Sequence, residues 1–126
     1  MGAAVAAPGL ADVEDAPIFV PSGQFVTFHD FVSDAAGEGL MYRFRFVAPD
    51  ISPAGRGLTF VEVADDMVHL CQFYAVPKVS EVGPRPRQIV VSLMERAIDF
   101  GESDASVTQF FEAYSVQDGL CIWELF

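Results

Sequence analysis

Positive charge is scarce in this sequence: seven Lys and Arg stand against eighteen Asp and Glu, a net charge of −11. A nucleic-acid binder neutralises phosphates with a dense basic footprint, so this balance excludes that class. The same charge disfavours docking on an anionic membrane surface. It keeps an apolar-rich domain soluble and steers basic partners toward it. Long apolar runs are also lacking. Pro, Gly or a charge interrupts each one well before the ~20 residues of a spanning helix, so no membrane span is expected. Histidine and cysteine number two each, and no His-rich or Cys-rich spacing supports a metal site. A G-x-S-x-G elbow, a phosphate-cradling glycine loop and an H-E-x-x-H pair are all missing. No cofactor is implied, no catalytic residue is named, and the expectation is a non-enzymatic protein.

What the chain does have is apolar substance. Its 126 residues are 52% hydrophobic and include twelve Phe, enough for one core and too short for two domains. Residues 1–17 stand apart. Met1 to Ala11 is Ala-rich and uncharged, and Gly9-Leu10-Ala11 places small residues where a signal peptidase cuts before Asp12. The basic start and full apolar stretch of a signal peptide are missing, so a signal-peptide remnant and a disordered leader remain alternatives. Residues 18–126 are expected to form a single α+β domain.

Within that domain, Pro21-Ser22-Gly23 predicts a turn and Gln24 to Ser33 a strand with apolar residues on both faces. Leu40 to Ala48 is the clearest strand. Its alternation sets Tyr42, Phe44 and Phe46 on one face and Met41, Arg43, Arg45 and Val47 on the other. The two strands are close enough for an antiparallel hairpin. Thr59 with Glu62 fits a capping box, opening a helix whose buried stripe is Phe60, Val63, Ala64, Met67, Cys71 and Tyr74. Glu62, Asp65, Asp66 and His69 fall on its wet face, and Pro77 is expected to stop it. The Gly83-Pro84-Arg85-Pro86-Arg87 connection leads to a central strand, Gln88 to Met94, apolar on both faces. A further extended piece is expected over Ala97 to Phe100. Ser103 or Asp104 then caps a shorter helix with Val107, Phe110, Phe111 and Tyr114 on one side. Asp118-Gly119 turns the chain into a last strand, Leu120 to Phe126. The order β-β-α-β-(β)-α-β predicts a mostly antiparallel sheet of four to five strands with two helices on one face.

The two cysteines fit that arrangement. Cys71 points from the first helix toward the sheet, and Cys121 can point back from the last strand, so a disulfide is feasible. Two separate buried thiols are the alternative. His69 lies two residues from Cys71, so their side chains diverge and form no local nucleophile pair. Glu62, Asp65 and His69 stack on one helix face and are weak metal candidates, lacking a further ligand. A His paired with Asp65 on a solvated face is the favoured reading. Asp99 with Glu102 could serve glycoside chemistry only by lining a cleft. Arg43 and Arg45 on one strand face, with Arg85 and Arg87 around Pro86, are most of the basic residues. If they converge they offer an anion or partner site, because guanidinium forks match carboxylates. Pairing with neighbouring carboxylates is the competing outcome.

Val68-His69-Leu70-Cys71, Gln88-Ile89-Val90-Val91-Ser92-Leu93, Thr108-Gln109-Phe110-Phe111-Glu112-Ala113-Tyr114 and Cys121-Ile122-Trp123-Glu124 resemble an uncharacterised family of small alphaproteobacterial proteins. The resemblance covers roughly residues 18–126. It implies export and a Cys71–Cys121 pair, and it implies no activity. Some members carry an acetolactate-synthase label, but the G-D-G…N thiamine-diphosphate motif of that enzyme does not occur here. Three roles remain. The leading one is a periplasmic or envelope domain that binds a protein partner. The others are a cytoplasmic acidic decoy or inhibitor with reduced cysteines, and a small hydrolase or metal-dependent enzyme.

Overall fold

The computed structural model describes residues 16–34, 40–82, 85–102 and 104–124. Five strands form one sheet in sequential order: β1 (Thr27–Asp34), β2 (Met41–Val47), β3 (Gln88–Met94), β4 (Gln109–Gln117) and β5 (Leu120–Trp123). β1 and β2 are the expected antiparallel hairpin, with an irregularity between Phe28 and Asp30. β2 and β3 run parallel, which demands a long crossover. A helix supplies it. β3/β4 and β4/β5 return to antiparallel pairing. Asp118 and Gly119 both have positive φ, 54° and 78°, the twist a two-residue hairpin turn needs and Asp-Gly tolerates best.

The crossover starts at α1 (Phe60–Leu70), which is capped as its sequence dictates. Glu62 donates its backbone N–H to the Thr59 hydroxyl, while the Glu62 carboxylate accepts from the Thr59 N–H at 2.8 Å. The Thr59 N–H first, and then the Thr59 hydroxyl donating to the same oxygen, hold the Glu62 carboxyl below its ordinary range. The helix then widens into a π-helical turn, Cys71–Ala75, and resumes as α2 (Val76–Val82). Val63, Met67, Leu70 and Cys71 are wholly buried, packed in one cluster with Tyr42, Phe44, Phe46, Ile89, Val91, Leu93 and Tyr114. The core therefore lies on one face of the sheet, beneath a single helical rod.

Four expectations need correction. No second helix covers residues 103–114; Gln109–Gln117 is β4. Its apolar residues serve two faces, Phe110 and Tyr114 toward the helix and Phe111 and Ala113 away, and that doubled pattern imitates helical spacing. Asp104 caps a turn instead, accepting from the Ser106 hydroxyl and N–H at 2.7 and 2.9 Å. The Ser106 hydroxyl first, and then its N–H, draws the Asp104 carboxyl below its usual range. Ala97 to Phe100 is not a strand but part of a loop. Pro77 does not end the helix. The π turn shifts hydrogen bonding, the Val76 N–H reaching Cys71 O, so Pro77 enters the first turn of a new segment, where its missing N–H costs little.

The fourth correction concerns Asp66, which is fully buried and not on a wet face. Its carboxylate accepts from the Ser22 N–H at 2.8 Å, the Ser22 hydroxyl at 2.5 Å and the Gln24 side-chain amide at 2.7 Å. That clamp joins the Pro21–Gln24 turn to α1, and Ile18 pairs with Val26 just beside it. The expected leader, residues 1–17, falls almost wholly outside the described residues. So do Leu125 and Phe126 of the last strand, while the strand that is described ends at Trp123.

Cys71 and Cys121 form a disulfide with Cα atoms 6.3 Å apart. The bridge ties β5, an edge strand, to the helix. Gln72 reinforces it, donating to Gly119 O at 2.7 Å and accepting from the Cys121 N–H at 2.9 Å. Among the described residues no helix is long and apolar enough to cross a membrane.

Candidate functional site

Alternation along β2 gives the two sheet faces opposite characters. Tyr42, Phe44 and Phe46 go under the helix, so Arg43 and Arg45 must point to the other side, which no helix among the described residues covers. β3 contributes Val90, Ser92 and Met94 to that side, and β4 contributes Gln109, Phe111 and Ala113, by their register opposite one another. The loop after β3 bends back over one end of this surface. Between loop and sheet lies a cleft of about 260 Å³, walled by Arg43, Arg45, Phe100, Asp99, Glu102 and Phe111 among others. A second, shallower depression of about 420 Å³ continues along the strands over Met41, Val90 and Ala113. Arg43 and Phe111 border both.

The two arginines meet there and part in function. Arg45 is 4% exposed. Its guanidinium holds Asp30 of β1 at 2.9 Å and donates to the carbonyl of Ile98. A buried cation must be paired in this way. Arg45 thus pins the covering loop and edge strand β1 to the sheet. The Arg43 guanidinium reaches the Ser92 hydroxyl at 3.3 Å. It also lies 5.6 Å from the ring centres of both Phe100 and Phe111. Each ring is about half exposed, 55% for Phe100 and 52% for Phe111. Aromatic rings hold a neighbouring guanidinium in place through their quadrupoles.

Arg85 and Arg87 do not join this cluster. They are exposed beyond the start of β3, where the Arg87 N–H donates to Leu40 O at 2.7 Å. The metal candidates Glu62, Asp65 and His69 are dispersed in purpose: Glu62 serves the cap, Asp65 is exposed, and His69 stacks on Phe73 with ring centres 4.7 Å apart. Among the described residues no three His, Cys, Asp or Glu side chains are placed to hold a metal ion. His29 lies 3.8 Å from Asp30, whose carboxylate Arg45 already engages. Asp99 and Glu102 do line the cleft, but on one wall, joined by a turn in which the Glu102 N–H donates to Asp99 O. Glycoside chemistry needs carboxyls flanking a bond from opposite sides.

Phe100 and Phe111 were not legible as site residues. Phe111 reads as part of a helical stripe, and Phe100 as part of a strand. The available signal was local: adjacent Phe110-Phe111 in a strand forces one ring outward. Pairwise geometry across β2, β3 and the loop then decides that it lands beside Arg43.

A family model described as "Family of unknown function (DUF6497)" matches residues 2–126. No match was found among curated proteins or among solved structures.

Proposed function

Because the chain belongs to the family of unknown function DUF6497, we propose its role from geometry: a non-enzymatic periplasmic or envelope domain that takes a protein partner on the open face of its sheet. One observation carries this reading. Arg43 lies 5.6 Å from the centres of two half-exposed aromatic rings and borders two depressions, on the sheet face that no helix among the described residues covers. Aromatic and arginine side chains surrounded by a polar rim are the composition of interface hot spots. The rim carries Asp99 and Glu102, and the whole chain carries −11, so the partner is a basic one with an apolar side chain seated against Phe111.

The disulfide supports an oxidising compartment and weighs against a cytoplasmic decoy with free thiols. The test is affinity purification of the full-length protein from its native host, wild type beside Phe111→Asp. Because Phe111 is half exposed, the variant should unfold at the wild-type temperature. It should lose at least about tenfold of the recovered partner, the usual size of a hot-spot loss. A partner retained undiminished by F111D, or no reproducible partner, would sink the reading.

A further inference from the structure

On the opposite side of the sheet from Arg43, the described residues do not close the aromatic cluster. Phe28, Phe31 and Phe44 wall a cavity of about 240 Å³ whose fourth side is Lys78 of α2. Phe31 and Phe44 stand 5.1 Å apart and Phe28 stands 5.2 Å from Tyr74, so the walls are rings braced by rings. Phe44 is 2% exposed and Phe31 is 39% exposed; the cavity runs from the core to the surface. Its walls are hydrocarbon, the stem of Lys78 included.

That lysine is unusual in this chain. Of seven basic residues it is the only Lys. Its ammonium lies 5.2 Å from the centre of the Tyr74 ring, which packs against Phe28 of the cavity wall. Among the described residues no carboxylate pairs with it. The cation lies over the Tyr74 ring, whose negative face attracts it.

We propose that this cavity binds a small amphiphile with one apolar body and one carboxylate head, the body against Phe28, Phe31 and Phe44 and the head on Lys78. Ligand sites are concave, apolar and fixed by one or two polar groups. The size sets the class. A dry cavity of roughly 150 Å³ accepts benzene, and drug-sized pockets begin at about 300 Å³. The space between suits a short alkyl chain or a single substituted ring. The carboxylate is chosen by charge complementarity, since Lys78 is the one charged residue among the described ones that line the cavity, and the ammonium beyond its stem presents only donors. The field of a −11 chain does not oppose this at contact range, because charges beyond about 8 Å are screened at physiological salt. This site is separate from the Arg43 surface, so either can fail alone.

The test uses the intact disulfide-bonded protein, with octanoate and 1-octanol as probes. Octanoate is expected to slow acylation of the Lys78 amine by an amine-reactive acetyl ester about fivefold or more, with the α-amino group as internal reference. Half-saturation should fall near ~0.1–1 mM for a chain of that length. Octanol should slow it less than about twofold. In NMR titrations the ring resonances of Phe28 and Phe31 should shift with octanoate. Lys78→Glu should weaken that response about tenfold while leaving the thermal transition unchanged, since Lys78 is exposed. The proposal is overturned if octanoate changes neither Lys78 reactivity nor the ring resonances. It is equally overturned if octanol matches octanoate, or if K78E binds octanoate as tightly as wild type.

Discussion

Arg43 and Arg45 are two positions apart on the same face of the same strand, yet their surroundings give them opposite tasks. Arg45 is enclosed by Asp30, Met94 and the Ile98 carbonyl, which makes it part of the scaffold. Removing it leaves Asp30 and that carbonyl without their cation. Because Asp30 is 41% exposed, the loss is moderated by solvent, and Arg45→Ala should cost about 2–3 kcal/mol in urea unfolding. Arg43→Ala, by contrast, should cost under about 1 kcal/mol in the same assay. Tyr114 supplies a prediction of the other sign. It is fully buried, and its hydroxyl meets no hydrogen-bonding group among the described residues. Burial, with the nearby Glu112 charge, raises its pKa well above 10. Tyr114→Phe removes an unpaired polar atom at nearly constant shape and should stabilise the protein by about 1 kcal/mol in the same assay.

Elements were legible where one period dominated. β2 alternates cleanly between rings and arginines, and the α1 capping box follows from Thr59 and Glu62 alone. The sequence of β4 misleads because the strand is buried under the helix on one side and lines the open face on the other. Phe110, Phe111 and Tyr114 then satisfy a 3.6-residue period as well as a strand does. The helix end misleads for a different reason. A π turn has no sequence signature that separates it from an α turn, and only that turn lets Pro77 pass. Asp66 was read as solvated because its partners, Ser22 and Gln24, lie more than 40 positions away, beyond any local pattern.

The cap gives a pH test at this scale. Glu62 has a lowered pKa in the folded protein, so its contribution is whole above the ordinary value of 4.5 and fades as pH falls through the lowered one. Glu62→Gln should flatten that part of the acid limb of a melting-temperature profile. Thr59→Ala should cost about 1 kcal/mol at neutral pH.

At the scale of the molecule, the described residues form an asymmetric sandwich of one sheet and one helical rod. One sheet face is spent on the core. The disulfide holds the far edge of this sheet to the rod across a separation of 50 residues. On the chain-entropy model such a crosslink stabilises by about 4 kcal/mol. Replacing both cysteines by Ala should lower unfolding stability by about 2–4 kcal/mol. Hydrogen exchange should then rise first in β5, which Gln72 and β4 alone would hold, and last in β2 and β3. Uniform acceleration across the sheet would show that the bridge supports the whole core and not its edge.

Site-specific photo-crosslinking in the native host tests most directly whether the uncovered face is the working surface. A photoreactive residue in place of Phe111 should capture one reproducible protein, and the same residue at Val61, 81% exposed on the outer side of α1, should not. Capture at position 61 equal to that at 111, or no adduct at 111, would contradict a binding domain that works through its open sheet face.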